Sequence, residues 1–397
     1  MELGSLARLA IMAVPGSRGP FLQQANELFA QIRCIVERQP VPLIPTTLMV
    51  FLRDGHDEES CRRVIVEQFG DAAPVTTCVV QPPCCGAALG IELWALGGPE
   101  VKVERFSPEI LAVESDGIRW IYGGGIRAIP TGLDPYHESI ATFQRLEQQL
   151  AQAGVGFDRV VRTWIYVNGI TDNQNGNGLQ RYQELNRARS DFYRNIAFGA
   201  DRKAPTANGI IYPASTGIGT RGRHMDLACV ALDTQRPDVF ILPLENPQQT
   251  PAYDYQAVYS PQSPKFSRAM AVVQGRFVAY LVSGTASIVD SRTVHPGDPV
   301  RQTEQTIDNI ERLIAPENLA RLGLPGAGAT LRDIAKLRVY VKNHGDYLAC
   351  RRVVERRLPK APALYLCADV CRPDLLVEIE AVAFAPYRPQ VPPPTPR

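Results

Sequence analysis

The chain has 397 residues, 45% of them hydrophobic and 21% charged, which suits a protein of two or three compact domains. Its 42 Lys and Arg residues are matched by 41 Asp and Glu residues, so the formal net charge of +1 provides no basic field for nucleic acid or an anionic membrane. No apolar run is long enough to span a membrane and the first residues lack a basic leader, so we expect a cytoplasmic protein without nucleic-acid or membrane partners.

The N-terminal part of the chain predicts a strand, a helix, a strand, a helix and two closing strands. The helices have apolar residues at three- and four-residue spacing, and the strands are short apolar runs. These segments are residues 6–14, 21–37, 48–52, 58–69, 75–80 and 90–95. This first unit has no obvious opening hairpin.

The middle of the chain repeats the same order in a longer form. Residues 119–128 (RWIYGGGIRA) predict an opening hairpin. A helix, a strand, a helix and a closing hairpin follow at residues 140–153, 163–167, 181–194, 209–214 and 225–232. The strand TWIYV at 163–167 corresponds to LMVFL at 48–52 in the first unit.

The C-terminal part of the chain repeats this order a third time. Residues 276–288 predict an opening hairpin, and ALYLCADV followed by LLVEIEAVAF predicts a closing one. Between them lie a helix, a strand and a helix at residues 302–314, 337–341 and 346–357.

Three copies of one β-β-α-β-α-β-β unit predict an α+β fold of three modules, the first of them truncated. We place the modules at residues 1–104, 105–235 and 236–397. Three such sheets around a common axis would form an intramolecular pseudo-trimer. We therefore expect a monomer, because the three-membered ring is already present in one chain.

The cysteines and histidines predict no metal site. Nine cysteines are scattered without a CxxC pair, and five histidines form no HxH or HExxH pattern. An odd, dispersed set of cysteines indicates reduced thiols rather than a disulfide framework or structural zinc.

The phrases VSGTASI, LRVYV and VEIEAVA resemble the RidA (YjgF) family, whose modules have the fold of the Bacillus type of chorismate mutase. YGGGIRA, YPASTGIG, SGTASIVD and CADVCRPDLLVEIEAVA resemble the chorismatases, over residues 105–385. This resemblance implies cleavage of the enolpyruvyl ether of chorismate with release of pyruvate, without a metal or organic cofactor. It also implies an active site in the C-terminal module, facing its neighbour.

Glu378 is the predicted catalytic acid. Cleavage of an enol ether begins with protonation of its methylene carbon, which needs a carboxyl group that stays protonated near neutral pH. The apolar neighbours of Glu378 in LLVEIE would raise its pKa by desolvation. The aligned residues are Asp226 and Gly90, so only the third module carries this glutamate. Glu380 shares its face and is the alternative acid.

Cys371 and Gly284 complete the predicted catalytic set. A cysteine and a glycine at these positions resemble the branch of the chorismatases that forms 3-hydroxybenzoate, whereas the hydrolytic branch tends to carry alanine at both. We expect the predicted hairpin to bring Cys371 beside Glu378, where it orients the ring hydroxyl or the acid. Ser283 precedes Gly284, and this Ser-Gly pair lines the ligand pocket in RidA-like proteins.

Arginines are expected to hold the two carboxylates of the substrate, because guanidinium groups bind carboxylates in a bidentate manner. Arg351 aligns with Asn186 of the second module, at a helix position that points into the pocket of RidA-like proteins. Arg338 replaces Met49 and Trp164 of the other modules.

Further substrate-binding residues are predicted from the second module and its surroundings. They are Tyr212, Ser215 and Thr216 in YPASTGIG, with Arg162 and Arg268 as weaker candidates. Leu364 occupies the place of the arginine in the Pro-Ala-Arg phrase of RidA proteins, which argues against imine or enamine deamination.

The resulting hypothesis is an enzyme that converts chorismate into 3-hydroxybenzoate and pyruvate. Two alternatives stay open on sequence alone. One is hydrolysis of chorismate to a dihydroxycyclohexadiene carboxylate, and the other is a RidA-like protein that binds a metabolite without chemistry.

Overall fold

The computed structural model describes residues 2–3, 6–173, 178–202 and 211–389, and it has an α+β fold built on three mixed β-sheets. Residues 209 and 210 of the predicted strand at 209–214 lie outside these ranges. Within them, no α-helix has the length and apolar character needed to cross a membrane.

The first module is a five-stranded sheet with two helices. Its elements are β1 (Glu2–Leu3), β2 (Leu6–Ala13), α1 (Phe21–Glu37), β3 (Ile44–Leu52), α2 (Glu58–Phe69), β4 (Val75–Val80) and β5 (Leu89–Gly97). The strand order is β1-β2-β5-β3-β4. The amphipathic helices share a core with alternate strand residues, because a helix with one apolar stripe must bury it against a sheet. Leu28, Phe29, Val64, Leu48 and Val50 belong to this core.

The second module is a six-stranded sheet of the order β10-β9-β11-β8-β7-β6. Its elements are β6 (Lys102–Ser107), β7 (Ile110–Ser115), β8 (Ile118–Ile126), α3 (Pro135–Gln152), β9 (Val160–Asn168), α4 (Arg181–Tyr193), β10 (Ala214–Thr220) and β11 (Asp226–Thr234). Helix α3 begins after Asp134, whose carboxylate accepts hydrogen bonds from the backbone N–H groups of Tyr136 and His137. Strand β6 spans the predicted boundary at residue 104.

The third module is a six-stranded sheet of the order β12-β13-β14-β19-β17-β18. Its elements are β12 (Val239–Leu244), β13 (Ala269–Gln274), β14 (Phe277–Ala286), β15 (Ile288–Val289), β16 (Arg292–Thr293), α5 (Pro299–Ile314), α6 (Pro316–Arg321), β17 (Ile334–Val341), α7 (Tyr347–Arg357), β18 (Ala363–Cys367) and β19 (Val377–Pro386). Strands β15 and β16 pair in a separate ribbon.

The same strand pairing recurs in the three sheets. The central strand (β3, β9 or β17) pairs in parallel with the next strand (β4, β10 or β18) and antiparallel with the last (β5, β11 or β19). The register is also shared, because Met49 lies opposite Glu92, Trp164 opposite Ala228 and Arg338 opposite Glu380. The repeat predicted from the sequence is therefore present in the backbone.

Both the opening and the closing hairpins predicted for the second and third modules are wrong. The closing strands are not hairpin partners, because the central strand lies between them. The predicted opening hairpins are single continuous strands, β8 and β14. In place of a turn each has a β-bulge, where the register shifts against β11 or β19.

The three sheets form a closed ring. Strand β4 contacts β8, β10 contacts β14, and β18 contacts β2. A shared apolar cluster takes residues from all three sheets, among them Met49, Phe51, Tyr166, Ile218, Tyr340 and Leu366. The predicted fold of three modules around one axis is confirmed.

Candidate active site

A cavity of about 590 Å³ lies between the second and third modules, and we call it the interface cavity. Helix α4 and strand β10 line it from the second module. Strands β14 and β19 and the loop at residues 368–376 line it from the third. The segment 255–268, which leads into β13, contributes aromatic and polar residues. Among the described residues, none from the first module lines this cavity.

Glu378 on β19 is the acid of the interface cavity. Its side chain is 4% exposed, and its backbone lies opposite Ala286 and Tyr340 in the sheet. Burial, reinforced by the nearby charge of Glu380, raises the pKa of Glu378 to about 8, against the lowering effect of Arg162 and Arg268. The carboxyl group therefore keeps its proton at neutral pH and can donate it.

Glu380 has the opposite state, which removes it as the alternative acid. Its Oε1 lies 3.0 Å from Nη1 of Arg338, and its Oε2 lies 3.0 Å from Nη2 of Arg162. Trp164 Nε1 and Thr216 Oγ1 donate hydrogen bonds to the same carboxylate, at 2.9 and 2.6 Å. Burial favours the neutral form, but Arg338 and Arg162 hold the pKa of Glu380 below its usual value.

The absence of a side chain at Gly284 leaves space for the carboxyl group of Glu378. A Cβ atom at Gly284 would lie 2.0 Å from Oε1 and 2.9 Å from Cδ of Glu378. The Gly284 N–H donates a 3.0 Å hydrogen bond to Thr216 Oγ1, which ties the bulge of β14 to the second module. A side chain at this position would therefore displace the carboxyl group of Glu378.

Cys371 lines the interface cavity, but it lies in the loop between β18 and β19 and not in a hairpin strand. Burial and the nearby charge of Glu378 raise the pKa of the Cys371 thiol to about 12. The group is thus a neutral thiol, which suits a hydrogen-bond donor and does not suit a nucleophile.

Several donors that line the cavity have no hydrogen-bond partner within the described part of the chain. They are Nε of Arg189, Nε of Arg268 and Nδ2 of Asn186. Arg189 and Arg268 are 1% and 3% exposed. Buried donors without partners cost free energy unless a ligand satisfies them, so this wall is suited to an anion.

Two arginines predicted as carboxylate anchors lie elsewhere. Arg351 forms an ion pair with Glu355 at 2.7 Å and lines a depression between the third and first modules. Arg338 is buried between Glu92 and Glu380, outside the residues that line the interface cavity. The physical reason for the first error is that the cavity uses the helix of the neighbouring module, where Asn186 holds the corresponding place.

The remaining predicted residues form two groups. Ser215 and Arg268 line the cavity. Ser283, Thr216 and Arg162 lie behind its wall, where the Ser215 N–H donates to Ser283 Oγ at 2.8 Å and Arg162 Nη2 donates to Thr216 Oγ1 at 2.6 Å.

Tyr212 does not line the cavity. Its ring packs at 6.3 Å from that of Tyr193 and 5.6 Å from that of Tyr253. Tyr212 is therefore a packing residue in this structure, and its predicted hydrogen bond to substrate is not supported.

Sequence reasoning missed Arg189 and the aromatic side of the cavity. Arg189 follows Asn186 by three residues, so helical periodicity places both on one face of α4. Tyr255 and Tyr259 precede residue 276, where the first element predicted for the third module begins. The guanidinium of Arg372 lies 4.3 Å from the ring centre of Tyr259 and closes this side by a cation–π contact.

Across the described ranges, no group of three His, Cys, Asp or Glu side chains is arranged to hold a metal ion.

Several known proteins resemble this chain in sequence and in fold. Residues 260–385 match the family model described as endoribonuclease L-PSP. A 3-hydroxybenzoate synthase from Streptomyces hygroscopicus is 33% identical over 286 residues, which are 68% of this chain and 77% of that protein. A chorismatase from Streptomyces rapamycinicus is 34% identical over 280 residues, 67% of this chain and 77% of that protein. A chorismatase crystal structure covers 96% of this chain and is covered in full, with a TM-score of 0.67 and 25% identity.

The ring of three similar modules, with the family match in the third, defines the class as proteins of fused RidA-like modules. The relatives narrow this class. The chain belongs to the chorismatase family. The resemblance stated from sequence motifs is thereby confirmed.

Proposed function

We propose that this enzyme converts chorismate into 3-hydroxybenzoate and pyruvate, with Glu378 as the proton donor. The observation that carries the proposal is a carboxyl group that stays protonated at neutral pH, in a cavity whose arginines have free donors. Chorismate has the complementary groups, because its two carboxylates match the arginines and its enol ether accepts a proton. The name of the Streptomyces hygroscopicus relative supports 3-hydroxybenzoate as the product.

The proposed reaction begins when the proton of Glu378 passes to the methylene carbon of the enolpyruvyl group, which becomes a methyl group. The positive charge that develops on the ether carbon weakens the bond between the ether oxygen and the ring. The oxygen keeps the electron pair of that bond and leaves as the ketone oxygen of pyruvate. Arg189 and Arg268 hold the substrate by its carboxylates during this step.

The ring then completes the reaction without water. Because pyruvate takes the ether oxygen, the phenol oxygen of 3-hydroxybenzoate comes from the neighbouring hydroxyl group, which shifts to the carbon that lost the ether. Loss of a ring proton restores aromaticity, and the Glu378 carboxylate takes this proton back. In the hydrolytic alternative, water adds to the charged ether carbon and loses a proton. The bond between this carbon and the ether oxygen then breaks to release pyruvate, and the ether oxygen stays on the ring as a second hydroxyl group.

The neutral thiol of Cys371 lines the same cavity as the acid, and we assign it the choice between these two outcomes. As a hydrogen-bond donor it orients the ring hydroxyl for the shift. Gly284 leaves space for the acid in the position from which it donates.

The test is incubation of the purified enzyme with chorismate, followed by chromatography of the aromatic product and an enzymatic assay of pyruvate. We expect equimolar 3-hydroxybenzoate and pyruvate, and a loss of about 10²- to 10⁴-fold in kcat for Glu378→Gln, as for removal of a general acid. Asp226→Asn, which changes the corresponding acid of the second module, is the matched control and should retain activity. A diene diol in place of 3-hydroxybenzoate would identify a hydrolase, and full activity of Glu378→Gln would remove the acid from the mechanism.

A further inference from the structure

Five charged side chains form a buried chain along the axis of the ring, and we call it the axial ion network. Lys336 Nζ and Arg338 Nε each lie 2.6 Å from a carboxylate oxygen of Glu92. Arg338 also contacts Glu380, which in turn contacts Arg162. All five side chains are 1–2% exposed. Water therefore screens their charges weakly.

The network joins all three modules. Glu92 lies on β5 of the first module, Arg162 on β9 of the second, and the other three on β17 and β19 of the third. Three cations face two carboxylates, so one positive charge is uncompensated within the network. Burial of unlike charges is costly, which makes a purely stabilising role a weak explanation for so large a cluster.

The network ends beside the proposed acid. Glu380 follows Glu378 by two residues on the same face of β19. Thr216 Oγ1 donates to Glu380 at 2.6 Å and accepts the Gly284 N–H at 3.0 Å, and Gly284 abuts the carboxyl group of Glu378. A continuous path of contacts thus runs from Glu92, in a module that does not line the cavity, to the acid.

We propose that Glu92 of the first module is a positioning residue, which sets the protonation of Glu378 through Arg338 and Glu380. The inference rests on the proposed role of Glu378 as the proton donor. By binding Arg338 and Lys336, the Glu92 carboxylate limits the positive charge that Glu378 experiences. The first module, which does not line the cavity, then contributes to the reaction through the negative charge of Glu92.

Other groups around Glu378 act in parallel with this network. They are Glu380 on the same strand, Arg162 on β9, Arg268 before β13, Tyr182 and Arg189 on α4, and Cys371 and Arg372 in the loop before β19. None of them changes in the variants proposed below, so a shift in the titration of Glu378 reports the charge at Glu92 or Lys336.

The direction of the effect follows from the sign of the charge. The protonated form of Glu378 is active, so activity falls as the pH rises through its pKa of about 8. This fall is the alkaline limb of the pH profile of activity. Removal of the negative charge of Glu92 favours the ionised form of Glu378 and moves the alkaline limb to lower pH. Removal of the positive charge of Lys336 moves it to higher pH.

The test uses two variants, because burial lowers the pKa of Lys336 to about 8 and its ammonium group would lose its proton once Glu92 is gone. Lys336→Met removes this compensation. We expect the alkaline limb of kcat/KM to lie roughly one pH unit lower in Lys336→Met/Glu92→Gln than in Lys336→Met, as for one buried charge at an effective dielectric constant of about 20. Equal limbs in the two variants would overturn the proposal.

A control variant and a second readout separate position from stability. Asp226→Asn removes a buried carboxylate from the interface of the first and second modules. It should leave the alkaline limb of kcat/KM unchanged, whatever its effect on the melting temperature. If Lys336→Met does not fold, Glu92→Gln alone must have a limb at or below that of the wild type, and a higher limb contradicts the inference.

Infrared titration of the Glu378 carboxyl band, assigned by its loss in Glu378→Gln, measures the same shift without substrate. A shift of the band with no turnover of chorismate would keep the role of Glu92 and reject the proposed function. Turnover of chorismate with an unshifted band would keep the proposed function and reject the role of Glu92.

Discussion

Two glutamates separated by one residue have opposite protonation states in this enzyme. Glu378 faces a cavity in which burial outweighs the two arginines near it, so the pKa is raised to about 8. Glu380 accepts four hydrogen bonds or ion pairs, so it stays ionised. Environment, and not residue type, separates the acid from the structural carboxylate.

This difference predicts opposite effects of two conservative substitutions on stability. The pKa of Glu378 is about 8 in the folded chain and near 4.5 when unfolded, so the folded state binds the extra proton between these values. The contribution of Glu378 to stability therefore falls as the pH rises from about 4.5 to about 8. Glu378→Gln removes this loss and should melt above the wild type at pH 9 but not at pH 4.

Glu380→Gln should instead lower the melting temperature at pH 7, because Arg162 and Arg338 would lose a buried charged partner. Thermal unfolding of both variants from pH 4 to 9, followed by circular dichroism, makes the comparison. If Glu378→Gln is no more stable than the wild type at pH 9, the carboxyl group is not held in its neutral form.

Cys371 provides the second prediction at the residue scale. Its neutral thiol lines the cavity with Glu378, so Cys371→Ala removes a donor without adding bulk. We expect the product to shift from 3-hydroxybenzoate toward the diene diol, while pyruvate release persists. Cys350→Ala, which removes a buried thiol in α7, is the matched control. A product ratio that is equal in wild type and Cys371→Ala would reject the assignment of product choice.

At the scale of elements, the sequence predicted the helix bounds well and the strand pairing poorly. The bounds predicted for α1 and α2 agree with the structure, because amphipathic periodicity and flanking breakers are encoded within each segment. The hairpin predicted for β18 and β19 is wrong, because β17 lies between them and its parallel pairing with β18 joins distant segments. Glu378 was predicted from its apolar neighbours, its absence from the other two modules and the resemblance to the chorismatases. Arg189 can be predicted only once it is known which helix faces the cavity.

The bulge in β14 carries the element-scale prediction. A methyl group at Gly284 would lie 2.0 Å from Glu378 Oε1, and the acid is a flexible side chain that can move aside. Gly284→Ala should therefore lower kcat by at least about tenfold with a small change in melting temperature, because a displacement of about 1 Å misaligns the donor.

Gly125 is the matched control, since it holds the corresponding place in β8 and its N–H donates to Thr77 Oγ1 at 2.8 Å. A Cβ there would meet the backbone oxygen of Thr76 at 2.7 Å, and the φ of Gly125 is +66°. Gly125→Ala should reduce stability and leave kcat of the folded enzyme unchanged. The opposite pattern in the two variants would contradict the placement of the acid.

At the scale of the whole molecule, three equivalent interfaces have diverged. At the interface of the first and second modules, Asp226 holds the position of Glu378. Arg127 binds its carboxylate through Nε at 2.6 Å and binds Glu58 through Nη2. At the interface of the third and first modules the position is Gly90, and Leu364 fills the adjoining space. Fusion of the modules permits this divergence, because each copy mutates independently within one chain. Among the described residues, only the interface of the second and third modules combines an unpaired acid with guanidinium donors that lack a partner.

This asymmetry predicts which helix binds the substrate. Arg189 on α4 lines the interface cavity with a free Nε, whereas Arg351 on α7 is exposed and paired with Glu355. Arg189→Met should raise KM for chorismate by at least about tenfold, because a charged hydrogen bond contributes roughly 1.5–3 kcal/mol. Arg351→Met should change neither KM nor kcat. Steady-state kinetics with pyruvate detection measures both. A raised KM for Arg351→Met, with an unchanged KM for Arg189→Met, would move the site to the interface of the third and first modules.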